Sequence, residues 1–543
     1  MKKLLISLFT FTALFFTAKA QQTPPVIVGI VVQQMRYDAI ARYGNWMSDN
    51  GFMRLMYQGA NCSNAYYNYM ITEPAPGFAT IYTGANPCNH GIISNSWYDR
   101  TTKKYVSSIN DNKFMAIGSN SETGKVSPLK LLGTTLGDEM KLSNYKQSKV
   151  FSVSYNNIGA IIPSGKLANA AYWFDEKTGE FITSSYYMGE LPKWVKDFNS
   201  EQKANNFINR GWFTLKNIND YHASLPDNSF YENGINGKST FPYNLKQMSE
   251  GKQFQLLKYT PFSDEMVKDF VLKLIENEDI GKDNFTDLLM INFSAASCVS
   301  DLFGIRSVEL EDTYLRLDTY IANIINALDT KLGKGNYVIF LTADRGSSDT
   351  PQFLQDMGMT GQKVDVQHFM TLLNAYLRAL YGDEKWVEKY HNRQIYLNHF
   401  AMERHKLSQH EVLDMASQFM LEIDGIANAV PSSALLDNHS LSGIWKQAGN
   451  SFYRKRSGDI IINLEPGISE IQESSSTFSN SAQNSAYNHD THVPLCFYGK
   501  NIKKQTISRR VSIEDITPTI TTILHILSPD YSSGSAIYEV IDN

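Results

Sequence analysis

Val26-Ile27-Val28-Gly29-Ile30-Val31-Val32 is a run of seven apolar residues, all but the glycine β-branched. A strand with one wet face alternates apolar and polar residues, so an unbroken run reads as a strand covered on both faces, the kind found in parallel sheets. Comparable runs recur at 149–154, 287–293, 337–342 and 492–498. A helical stretch is read at 37–57, and long amphipathic patterns at 262–277 and 308–332 separate later strands. Strands alternating with helices predict an α/β fold built on a doubly wound, mostly parallel sheet. In such folds the functional loops gather at the carboxyl ends of the strands.

The composition agrees with this and narrows the partners. The chain has 543 residues, 42% hydrophobic and 19% charged, with Lys+Arg 50 against Asp+Glu 55 and a net charge of -5. That is too apolar for disorder, and without a basic block nucleic acid is not an expected partner. Lys2 and Lys3, an apolar run from Leu4 to Phe16 and Ala18-Lys19-Ala20 read as a signal peptide over residues 1–20, so the protein is expected in the periplasm or otherwise exported. No later apolar run reaches the roughly 18 residues of a membrane helix. Cys62, Cys88, Cys298 and Cys496 allow three full pairings, which spacing does not choose between, and Cys496 reads as a buried thiol in a strand.

The expected organisation is a core over 21–346, an accessory subdomain over 347–470 and a return to the core over 471–543. Within the core an insertion is read at about 160–255: a hairpin turning at Lys177-Thr178-Gly179, then an Asn-rich stretch, placed over the sheet edge. The accessory part carries helical patterns at 369–381 and 409–422 and a short strand at 394–397. The Ser/Asn-rich 474–485 reads as a loop.

Candidate chemistry sits where strands end: Gln33, the 294–301 segment, Asp344-Arg345-Gly346, and His489-Asp490-Thr491-His492, with Thr72 to Gly77 leading into a helix. Here the chain resembles a family. Val28 to Arg36, Thr80-Ile81-Tyr82-Thr83-Gly84, Asn95-Ser96-Trp97-Tyr98-Asp99, Tyr172-Trp173-Phe174-Asp175 and Lys455-Arg456-Ser457-Gly458-Asp459 are similar to the alkaline phosphatase superfamily, in the PafA-like branch of monoesterases with a threonine nucleophile. The resemblance implies two zinc ions that polarise the phosphoryl group and activate the nucleophile.

The residues aligned with that machinery are of the wrong types. The nucleophile position is Pro74, which has no hydroxyl. Positions implied as ligands of one zinc are Gln33, Asp344 and Arg345, and a guanidinium is always protonated. Positions implied for the other are Ser297, Asp301 and His492, leaving Asp301, Asp344 and His492 as residual candidates. Asn95 matches the family's phosphoryl-binding Asn, whereas Asn156 and Ile158 stand where it carries a Lys-x-Arg pair. Arg345 has a physical reading, an ion pair with Asp344 or Asp301 in place of the metal charge, against a role with Asn95 in binding an anion. His489 and Asp490 offer a rebuilt site, and Thr72, Ser294 and Ser297 offer hydroxyls, but no base stands at a recognisable spacing.

The sequence therefore predicts a pseudophosphatase without a cofactor, acting as a binding or scaffold component of the cell envelope, its partner an envelope protein or a phosphorylated ligand. The alternative is a metal-dependent phosphomonoesterase or phosphodiesterase with a residual or rebuilt site that still takes zinc.

Overall fold

A computed structural model describes residues 23–249, 251, 254–437, 441–471 and 484–542. The signal-peptide reading at 1–20 and most of the loop read at 474–485 lie outside the described residues.

The central sheet has ten strands: β1 (Val26–Val32), β2 (Ala60–Cys62), β3 (Ala116–Ile117), β4 (Val150–Ser154), β5 (Ala170–Asp175), β6 (Glu180–Ser184), β7 (Asp287–Phe293), β8 (Val338–Thr342), β9 (Leu495–Gly499) and β10 (Gln505–Ile507). Their spatial order is β10-β2-β9-β8-β1-β7-β4-β5-β6-β3. β1 lies between β7 and β8, parallel to both, with Val31 opposite Asn292 on one side and Thr342 on the other. The parallel run continues through β4 and β5, while β9 turns antiparallel. Every residue of β1 is buried, as the unbroken apolar run requires; full burial of each Val or Ile side chain contributes about 1.5–3 kcal/mol.

The main helices are α1 (Pro74–Thr83), α2 (Asn157–Ser164), α3 (Phe262–Asn277), α4 (Ala295–Phe303) and α5 (Val308–Leu332). Two glycines bring α1 close to the sheet. A Cβ on Gly29 would meet Phe340 and the Tyr82 hydroxyl at 2.5 Å, and one on Gly77 would meet the Asp344 carbonyl at 2.4 Å. The first turn of α1 is thereby held against the end of β8.

Three expectations are corrected. The helix read at 37–57 is broken into Ala39–Tyr43, a single 3-10 turn at Gly44–Trp46, and Phe52–Gln58. Asp318 on α5 causes the break, accepting from the Ser48 amide and hydroxyl at 2.7 Å each and from the Phe52 amide at 2.8 Å. The strand read at 492–498 is interrupted at Pro494, which donates no hydrogen bond. The hairpin read as lying over the sheet edge is part of the sheet, since Ala170 pairs with Phe151 and the hairpin adds β5 and β6 beyond β4.

Residues 364–468 have an apolar cluster of their own, including Leu373, Trp386, Val412, Met420 and Ile462. A four-stranded sheet ordered Val387–His391, Gln394–Leu397, Ile460–Leu464, Ile426–Pro431 runs through it. The first two strands meet at a turn of Asn392 and Arg393, both left-handed (φ 47° and 63°), as two-residue hairpins require. The four cysteines are free thiols, Cys62 and Cys496 buried on β2 and β9.

Candidate functional site

Parallel strands deliver the candidate residues from their carboxyl ends: Gln33 and Gln34 after β1, Asn156 after β4, Ser294 and then α4 after β7, and Asp344-Arg345 just past β8. At the centre is Arg345, 4% exposed. Its Nη1 pairs with Asp344 Oδ2 at 2.7 Å, and its Nη2 donates to Gln34 Oε1 and Ser297 Oγ at 3.1 Å each. The ion pair read from the sequence for Arg345 and Asp344 is thus formed.

Gln34 knits the cluster together. Its amide donates to Asp344 Oδ1 at 2.8 Å, its Nε2 to Ser347 Oγ at 3.0 Å and to Asp301 Oδ1 at 3.3 Å, and its Oε1 accepts from Ser297 Oγ at 2.7 Å. A left-handed backbone, φ 60°, turns it inward. Gln33, the residue singled out from the sequence, stands aside: its Oε1 accepts from Asn156 Nδ2 at 3.4 Å, and its buried Nε2 has no partner among the described residues. Burial raises the Asp344 carboxyl above its ordinary range despite the opposing charge of Arg345 and the Gln34 amide. Burial works against the Arg345 cation too, yet the carboxylates of Asp344, Asp301, Glu73 and Asp490 keep it charged.

Pro74 is the first residue of α1, where its missing N–H costs nothing and its fixed φ suits a helix start. Asn95 Oδ1 accepts from the next amide, Ala75, at 2.9 Å, while the Asn95 amide donates to Glu73 Oε2 at 2.7 Å. Asn156 caps α2, accepting from the Gly159 amide at 2.9 Å, and Ile158 packs partly buried against the core. Asparagines that the family resemblance places around a phosphoryl group thus have structural work at helix ends. Glu73, part of the Thr72 to Gly77 stretch but given no role of its own there, also meets Asn392 Nδ2 at 3.4 Å, and Asn392 donates to Ser94 Oγ, so the tip of the accessory hairpin rests on the entrance to α1.

His492 stands apart. Its ring stacks between Tyr37 and Tyr66, with centroids 4.2 and 4.4 Å away, and its Nε2 faces the Ser63 carbonyl at 3.2 Å. Burial lowers its pKa, which favours the neutral ring. Asp490 is fully buried and accepts from the Ser485 amide and hydroxyl, and His489 Nε2 lies 3.3 Å from the same hydroxyl. Thr72 Oγ1 donates to the Ser485 carbonyl, and the Ser294 hydroxyl is buried without a partner among the described residues. Among the described residues neither hydroxyl is hydrogen-bonded to a His, Lys, Asp or Glu side chain.

The side chains present do not fit a two-zinc centre. A guanidinium occupies the space between the oxygen donors of Asp344, Ser297 and Gln34, and the nucleophile position is a helix-starting proline. Among the described residues no group of three or more His, Cys, Asp or Glu side chains is placed to hold a metal ion.

The sequence profile of the type I phosphodiesterase / nucleotide pyrophosphatase family matches residues 27–493. The chain is 34% identical to alkaline phosphatase PafA of Elizabethkingia meningoseptica, over 99% of both chains. It is 35% identical to a protein of Myroides odoratus named calcium-transporting ATPase, over 98% of this chain and 97% of that one. The crystal structure of wild-type PafA superposes with a TM-score of 0.90 at 34% identity, covering 96% of this chain and 99% of that one. With the sheet order, the α1 entrance and the strand-end cluster in the same chain, the protein belongs to the alkaline phosphatase superfamily, within the type I phosphodiesterase / nucleotide pyrophosphatase family.

Proposed function

We propose that the protein is an exported, catalytically inactive member of this superfamily that works by binding, as a scaffold or ligand-holding component of the cell envelope. Two of its relatives are named as alkaline phosphatases, so the reading rests on what separates this chain from them. The observation that carries it is the Arg345 cluster: a fixed cation, paired with Asp344 and bonded to Ser297 and Gln34, fills the place where the resemblance expects metal charge. A buried guanidinium repels a divalent ion, and Pro74 offers no oxygen to attack phosphorus. Losing nucleophile and metals together removes the chemistry behind a rate enhancement that for phosphate monoesters approaches about 10²¹-fold. The partner in this reading is an envelope protein or a phosphorylated ligand.

The test is the metal content of the mature protein after exposure to excess zinc, with turnover of p-nitrophenyl phosphate in the same samples. The expected result is no stoichiometric zinc and no turnover above a Pro74→Ala control. Zinc-dependent turnover abolished by Asp301→Asn would establish a metal-dependent phosphomonoesterase or phosphodiesterase instead.

A further inference from the structure

The four-stranded sheet has one edge that no described strand covers. Its outer strand, Val387–His391, pairs with Gln394–Leu397 and with no other described strand. The two-residue turn makes His391 and Gln394 the closing hydrogen-bonded pair, so Tyr390, opposite Ile395, belongs to the next pair, whose backbone groups point away from each other. Ile395 agrees with this: its carbonyl turns to the far side and accepts from the Asp459 amide at 2.8 Å. The Tyr390 N–H and C=O therefore face outward, and among the described residues neither has a backbone partner beyond its own hairpin.

A groove of about 680 Å³ runs along that edge, lined consecutively by Val387, Glu388, Lys389 and Tyr390. A cavity over one face of a strand would meet alternate residues, so this one follows the strand's edge. The opposite wall is the helix Val366–Tyr381, which presents Gln367, Thr371, Asn374 and Arg378 at the spacing of a single helical face. Asn374 Oδ1 accepts from the Trp386 and Val387 amides at 2.8 and 3.1 Å, so the helix already completes one end of the edge and leaves the Tyr390 end open.

The carboxylates lining the groove each have a cation of their own. Asp383 meets Arg378, Glu384 meets Arg404 at 3.1 Å, and Glu388 meets Lys103 at 3.7 Å. Lys385 and Lys389 are exposed and have no carboxylate partner among the described residues; Lys389 lies instead 5.8 Å from the Tyr105 ring, which also lines the groove.

We propose that this groove takes an acidic segment of a partner protein in extended conformation, added to the sheet as a fifth strand through the Tyr390 N–H and C=O, with its carboxylates on Lys385 and Lys389. An open edge offers main-chain pairing to an extended chain, and two unanswered lysines select for one that carries carboxylates. The groove shares no residue with the Arg345 cluster, so it goes beyond the inactivity reading and either can fail alone.

The experiment is calorimetric titration of the purified protein with an acetylated, amidated hexapeptide alternating valine and glutamate. Saturable binding is expected, weakened about tenfold or more by Lys385→Glu with Lys389→Glu and lost in Thr371→Trp, which fills the groove from an exposed helical position. The fully N-methylated peptide keeps the charge but has no amide to donate, and should not bind. A hexapeptide alternating valine and lysine should bind more weakly. Lys503→Glu with Lys504→Glu makes the same change in net charge at exposed sites outside the groove and should leave binding at the parent level. All the substituted positions are exposed, so every variant should melt like the parent, which separates lost binding from lost fold. No saturable binding at millimolar peptide, binding kept by the N-methylated peptide, the lysine peptide binding as tightly, or a loss no greater at Lys385 and Lys389 than at Lys503 and Lys504 would each overturn the proposal. A concentration-dependent dimer in sedimentation velocity, abolished by Thr371→Trp, would overturn it in favour of a second copy of this chain.

Discussion

Two Arg–Asp pairs in this molecule have the same chemistry and opposite settings. Arg345 and Asp344 are 4% and 0% exposed, and around them Gln34 bonds to Ser297, Ser347 and Asp301. Arg100 is 26% exposed at its side chain, and it and Asp459 line an open cavity. Protonation follows the difference. For both carboxyls burial is the largest influence and raises the pKa; at Asp344 it prevails, whereas at Asp459 the hydrogen bond of His399 and the charge of Arg100 overcome it and hold the group below its usual range. The sealed pair neutralises itself, while the half-buried Arg100 and its partner Asp459 stand at the edge of an open cavity.

The comparison is broken most forcefully at Arg345. Arg345→Met strands Asp344 in a site closed to water, and removing one member of a buried pair costs about 3–5 kcal/mol. Denaturant unfolding should show a loss of that order, and an unchanged midpoint would mean that the pair does not hold the pocket. Arg100→Ala should cost less, about 1–2 kcal/mol, because Arg100 is half-buried rather than sealed and His399 remains on Asp459.

Acid sharpens the contrast. A depressed native carboxyl contributes stability that is present above its unfolded pKa of about 3.9 and is lost as pH falls through the native value. Asp459→Asn should therefore flatten the acid limb of the stability profile in that window and leave the profile near neutrality parallel to the parent's; an unaltered acid limb would contradict the role given to His399 and Arg100. The smallest effect is expected from metal removal. A resident zinc would stabilise the fold by linkage, so with Arg345 supplying the charge a chelator should leave the melting temperature where it was, and a drop of many degrees would return zinc to the site.

Much of this was legible in the chain itself. Val26–Val32, Asp287–Phe293, Phe262–Asn277 and Val308–Leu332 follow their patterns closely, because a strand buried on both faces and a long amphipathic helix leave periodicities that neighbouring segments seldom override. The residue types at the strand ends were legible too, a proline where the resemblance implies a hydroxyl and a guanidinium where it implies a metal ligand. The helix read at 37–57 failed because the deciding contact, Asp318, comes from a distant segment.

What the sequence by itself determined is the kind of residue at each strand end, and with it the family. Only the tertiary structure decided which residues meet. Gln34 rather than Gln33 enters the cluster because of a left-handed backbone, and no periodicity distinguishes two adjacent glutamines. His492 is held between Tyr37 and Tyr66, Asn392 reaches Ser94, and Arg100 reaches Asp459 across separations of hundreds of residues. Those meetings depend on how helices and the second sheet pack on the first, a sum of many weak long-range contacts that no local stretch of sequence encodes.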